Sequence, residues 1–272
     1  MSQPDQRTVT EALFEQWSTL DALLSELTED QWHTPTALPG WTVHDVVSHI
    51  IGTESLLLGE RAPKTDTDVK ELEHVHNDIG AFNERWVLHL RAHSPTEMLQ
   101  IFREVTGRRR EFLSSLTDAQ WTEETIGPAG PTTVGGFMLI RLFDCWVHEL
   151  DIRDAVGMPG DEGGVRGDLS MEVISRAIGF AVGKRAQAPA GSRIVLELTG
   201  ALARTFNVAV EGRARLIESL DADPTVHLRL DSGLYVRLAC GRVNPQDKWD
   251  DIESAGDAEL GRRIAENLKF TI

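Results

Sequence analysis

The hydrophobic period of this chain changes once, and the change bounds what it can fold into. Over the first 157 residues apolar side chains return at helical spacing, and further along they alternate. In residues 7–29, Leu13, Trp17, Leu20, Leu23, Leu24 and Leu27 share a face. TPTALPGW breaks that pattern with two prolines and a glycine. Thr42 then reads as an N-cap with Asp45 at N3, opening a second helix through Val43, Val46, Val47, Ile50, Ile51, Leu57 and Leu58. A third helix is expected around 73–92, and a fourth from Ser94-Pro95-Thr96 to Leu116. After the break IGPAGPTT, a fifth runs from Val134 to Val156, stopped by Gly157 and Pro159. Helices joined by short breaks predict an antiparallel bundle.

Past the glycine-rich GMPGDEGGVRGD, residues 168–186 read as a helix, and RIVLELTG, TFNVAVEG, ARLIE and TVHLRL as strands. DAELGRRIAENL closes as a helix. The expected fold class is α+β: a helical bundle over 1–160 and a smaller α+β domain over 161–272.

The formal net charge is −16, from 27 Lys plus Arg against 43 Asp plus Glu, which repels nucleic-acid phosphates and anionic lipid. The one dense basic cluster, GRRRE at 107–111, lies in a helical pattern and reads as a solvated face. No window approaches the roughly 18 apolar residues of a membrane span. The first residues lack the apolar core of a signal peptide, so a cytoplasmic location is expected. Cys145 and Cys240 have neither disulfide nor metal spacing and suit a reducing compartment.

Asp144 and His148 stand four apart on the fifth helix, one turn above each other, on a face that reads Phe137, Arg141, Asp144, His148, Asp151. The opposite face, Leu139, Leu142, Phe143, Trp146 and Leu150, is core. A carboxylate and an imidazole at this spacing can bind a cation jointly, or form an ordinary hydrogen bond. His49 borders the apolar face of the second helix, as a core residue or, if the two helices are neighbours, as the third ligand of a two-histidine, one-carboxylate set. Asp151 can orient His148 or cap the helix. Arg141 can meet an anionic ligand or pair with Asp144 or Asp151. His74 and His76 sit near a helix start, at a pocket mouth or on a solvated surface.

LPGWTVHDVVSHIIGTE at 38–54 and RLFDCWVHELDIRDAVG at 141–157, with HVHNDIGAFNERWV at 74–87, resemble the DinB-like bundle of the mycothiol-dependent maleylpyruvate isomerase family. The resemblance implies a divalent metal ion, zinc by default, on His49, Asp144 and His148, with mycothiol as thiol cosubstrate. The family more often has Glu at the acidic position, and Asp144 is one methylene shorter. The tail from Gly233 resembles the end of a sterol-carrier-type domain, with its Gly241-Arg242 turn before Pro245 and a helix start at Gly256-Asp257. In this family a C-terminal arginine holds a substrate carboxylate near the metal; Arg242 or Arg237 is the candidate, and the alternative is that Arg242 stabilises its own turn.

The function expected from this resemblance is metal-dependent activation of a low-molecular-weight thiol. Its outcome is either isomerisation of a maleylpyruvate-like diacid or S-transfer to a small electrophile. The alternative is a non-catalytic carrier of an apolar ligand with a structural metal. The expected partners are small molecules, with no nucleic acid and no membrane, and the chain is a monomer or a homodimer.

Overall fold

The computed structural model describes residues 5–160 and 162–271, and the chain divides into two compact units, Met1–Gly160 and Asp161–Ile272. The first holds α1 (Gln6–Glu26), α2 (Glu29–Trp32), α3 (Val43–Leu57), α4 (Asp78–Leu90), α5 (Pro95–Ser115), α6 (Asp118–Trp121), a hairpin of β1 (Glu124–Gly127) and β2 (Gly130–Thr133), and α7 (Val134–Val156). The long helices α1, α3, α5 and α7 form the bundle: α1 packs on α5 and α7, α3 on α5 and α7, and α4 lies against α3.

Local chemistry sets the helix ends. Thr28, Ser94 and Thr117 open α2, α5 and α6 with capping boxes. Asp45 Oδ2 accepts from both the backbone N–H and the hydroxyl of Thr42 (2.9 and 3.0 Å), and its Oδ1 accepts from Arg91 Nε at the end of α4 (2.8 Å). Helix α7 ends on Gly157 in the left-handed region, as its sequence predicts.

Three differences from the expected pattern have plain causes. The break before α7 is a hairpin pairing Glu124 with Thr133; its strands are only four residues long, too short for alternation to register. Arg109, expected on a solvated face, is 1% exposed. The polar face of α7 is buried as well as the apolar one, because Arg141, His148 and Asp151 point into the bundle.

The second unit contains α8 (Gly164–Ser175), α9 (Ile178–Phe180) leading into a π turn, and β3 (Arg193–Thr199), β4 (Arg204–Glu211), β5 (Arg213–Ile217) and β6 (Val226–Asp231). These are followed by α10 (Ser232–Ala239), β7 (Glu253–Gly256) and α11 (Ala258–Glu266). The expected single helix over 168–186 is thus two pieces with a turn at 176–177. The sheet runs β5-β4-β3-β6-β7, antiparallel except for β3 beside β6. Their register sets Ile194, Leu196 and Leu198 beside Val226, Leu228 and Leu230, all buried, with α10 packed on that pair. Strand β7 is exposed along its whole length, which leaves no apolar signature in the sequence.

The approach of α3 and α4 is set by Gly52, where a Cβ would lie 2.4 Å from Trp86 Cγ and 2.7 Å from its Cβ. Those atoms are at the root of the indole and cannot swing away, so Gly52→Ala forces the helices apart. The expected loss is about 1–3 kcal/mol of stability, as for other overpacked cores. Urea denaturation checks it, and a variant as stable as the parent would contradict the close packing.

Candidate metal centre

The site is built where α3 and α7 face each other. His49 comes from the middle of α3, and Asp144 and His148 lie one turn apart on α7. One ligand atom from each of the three lies within 4.8 Å of the others. His49 Nε2 is 3.1 Å from Asp144 Oδ2, His148 Nε2 is 3.8 Å from Asp144 Oδ1, and the two imidazole rings meet edge-to-face at 4.8 Å. Both histidine side chains are 8% exposed and that of Asp144 is 29%, so access to the cluster is from the carboxylate's side.

Each donor is held from behind. His148 Nδ1 donates to Asp151 Oδ2 at 2.9 Å, which keeps a proton on Nδ1 and turns Nε2 toward Asp144. Arg141 Nη1 donates to Asp144 Oδ2 at 2.5 Å. Burial by itself would raise the Asp144 carboxyl. Arg141 first of all, and then the two imidazoles and the His49 hydrogen bond, outweigh it and hold the group well below the usual carboxylate range. Burial also lowers the His49 imidazole, against the pull of Asp144, and so favours its neutral form. Trp41 leans on the His49 ring at 5.5 Å, and its Nε1 donates to the buried Glu84 at 3.0 Å.

The donor set fits a divalent cation. His148 Nε2 and Asp144 Oδ1, both possible ligand atoms, face each other at 3.8 Å, a spacing that a cation bonded to both can fill. His49 Nδ1 is buried without a hydrogen-bond partner, so no bond fixes its proton, and the proton can sit on Nδ1 when Nε2 serves as a ligand.

Of the residues picked out in the sequence, His49, Asp144, His148, Asp151 and Arg141 come together. Arg141 is 3% exposed and faces protein: Nε and Nη2 donate to Glu54 Oε1 (3.1 and 3.0 Å), and Nη2 also approaches Cys145 Sγ (3.4 Å). Arg242 lies in the second unit, where its Nη1 donates to the Cys240 carbonyl at 2.7 Å and braces the turn. Arg237 there pairs with Glu162 at 2.9 Å. His74 meets Glu84 Oε2 at 3.0 Å.

Two residues beside the site escape a reading of motifs, Glu54 and Arg109. Both interrupt a buried stripe at helical spacing: Glu54 follows Val47, Ile50 and Ile51, and Arg109 falls between Phe102, Val105 and Leu113. A charge in such a stripe is the signal that finds them.

A family model described as the mycothiol maleylpyruvate isomerase N-terminal domain matches residues 13–153, and the MDMPI C-terminal domain matches 168–263. The chain belongs to this mycothiol maleylpyruvate isomerase family. Uncharacterized proteins from two strains of Mycobacterium tuberculosis are 31% identical over 142 residues, covering 51% of this chain and 52% of theirs. The chain thus spans about half the length of these curated relatives. A crystal structure of the mycothiol-dependent maleylpyruvate isomerase matches 92% of this chain and 93% of its own, at 15% identity and a TM-score of 0.58. A histidine-to-alanine mutant of that enzyme gives 0.59 over the same shares. These likenesses establish the shared fold, a helical bundle with a smaller α+β unit, for this family member.

Neither cysteine is placed to act as a nucleophile. Cys145 and Cys240 are 0% and 1% exposed, and burial pushes the Cys145 thiol up to about 12, against the pull of Arg141. An aromatic disulfide reagent at pH 8 is expected to leave the folded protein unlabelled and to modify both thiols in denaturant. Rapid labelling of the native chain would show a reactive thiol that this packing does not provide.

Proposed function

We propose that this chain is a metal-dependent enzyme that activates a low-molecular-weight thiol, mycothiol, for attack on a small electrophile. The thiol adds to an activated carbon; expulsion after rotation about the former double bond isomerises a maleylpyruvate-like diacid, and retention of the adduct is S-transfer. The observation that carries this reading is the convergence of His49, Asp144 and His148 within 4.8 Å, open on the Asp144 side. Membership of the mycothiol maleylpyruvate isomerase family supports the thiol and the isomerase chemistry.

A divalent ion bound there, zinc by default, supplies a Lewis acid that lowers the pKa of a thiol brought to it. The remaining work is done by the chain. His49 and His148 offer imidazole nitrogens, and Asp144 offers a carboxylate kept ionised by Arg141. Asp151 holds the proton on His148 Nδ1. Trp41 covers the His49 ring, and Asp144 is the most exposed of the three side chains. We assign Arg141 to holding Asp144, and Arg242 to its turn.

The purified chain is expected to carry about one divalent ion, lost in His49→Ala and in His148→Ala; retention by both variants would sink the site. Asp151→Asn is expected to weaken the ion about 10–100-fold, as loss of such supporting hydrogen bonds does elsewhere. Mycothiol binding, measured by calorimetry, is expected to vanish on chelation while circular dichroism is unchanged. Binding that survives chelation would point to a carrier rather than an enzyme. Turnover of maleylpyruvate and a panel of electrophiles with mycothiol then separates isomerase from transferase.

A further inference from the structure

Behind Asp144 lies a line of buried charge crossing three helices. Arg109 of α5 donates its Nε to Glu54 Oε2 of α3 at 2.9 Å, and Glu54 Oε1 accepts from Arg141 Nε and Nη2 of α7. Arg141 Nη1 in turn reaches Asp144 Oδ2 at 2.5 Å. Glu54 is 0% exposed, Arg109 1% and Arg141 3%.

Ion pairs this deep are costly to desolvate, and apolar side chains of similar size commonly stabilise a core as well or better. Stability alone is therefore a weak reason for the line. Its geometry supplies a stronger one. Arg141 is a long side chain three residues from Asp144 on the same helix, with many rotamers open to it. Glu54 takes one edge of its guanidinium and leaves Nη1 for the carboxylate. Arg109 occupies the second oxygen of Glu54, so Glu54 cannot turn. Asp144 Oδ2 then has both Arg141 and His49 on it, and Oδ1 is the oxygen presented toward His148.

We propose that Glu54 and Arg109 are positioning residues for the metal centre, fixing through Arg141 which oxygen Asp144 offers to the ion. This rests on the reading of His49, Asp144 and His148 as ligands. An aspartate has less reach than a glutamate, so its carboxylate needs this alignment to meet both histidines.

Orientation and simple charge make opposite predictions for one substitution. Glu54→Gln removes a negative charge near the ion, so both accounts weaken binding. Arg109→Met removes a positive charge, which by charge alone tightens binding, and by loss of alignment weakens it. The test uses the full chain: zinc affinity by competition with a chromophoric chelator, the visible absorption of the cobalt(II) form, and thermal unfolding without metal. The expected result is zinc affinity lowered about 10-fold or more in both variants, with altered cobalt bands. A purely structural role would lower the melting temperature and leave the affinity and the cobalt spectrum unchanged, which would overturn the proposal, as would tighter binding by Arg109→Met.

Should either variant fail to fold, a crystal structure of the unmodified chain with zinc decides. Arg141 still bridging Glu54 and Asp144 supports the alignment, and Arg141 turned away overturns it. Failure of the unmodified chain to take up zinc or cobalt removes the metal reading itself, and is distinct from uptake that the variants leave untouched.

Discussion

A carboxylate set between packed helices is stable only if something answers its charge, and in this bundle that demand organises the contact between α3 and α7. Asp144 sits where the helices meet, and Arg141 and His49 share one of its oxygens. Arg141 needs a counter-charge of its own and takes Glu54, which needs Arg109. Glu54 brings in α3 and Arg109 brings in α5, so the packing of α3, α5 and α7 and the electrostatics of the site are one problem with one solution. The same logic holds further along α7, where Glu149 accepts from Gln16 of α1 and from Arg153. A helix carrying so many polar groups can occupy the centre of a bundle because these neighbours pair them.

The entry to α3 is tied to the site in a related way. Gly40, in the left-handed region, lets the chain turn beneath His74, and Arg91 donates to its carbonyl. Trp41 then reaches both Glu84 and the His49 ring. The two stretches that resemble the family at 38–54 and 74–87 are thus partners in space: the second supplies His74 and Glu84, which secure the turn of the first.

Helical spacing was enough to read the bundle helices, because each buries one apolar stripe of its own. It also put Asp144, His148 and Asp151 on one face as neighbours along one helix, and left open whether that face binds a cation. His49 needed more, since nothing in the spacing of one helix says which other helix it will face; there the family resemblance did the selecting. Glu54 and Arg109 stayed hidden for the same reason, for their partners are set only by tertiary packing. In the second unit, alternation revealed the strands with a buried face and missed β7, all of whose residues face solvent.

The shared oxygen of Asp144 has a consequence for descent. A glutamate in place of Asp144 would carry its carboxylate one methylene further, toward the space that Arg141 occupies. The two acidic residues are therefore not interchangeable one at a time. On the proposed alignment, positions 54, 109, 141 and 144 are constrained together, because each side chain is held by the next. Relatives that differ at position 144 are the place to look for compensating change at the other three.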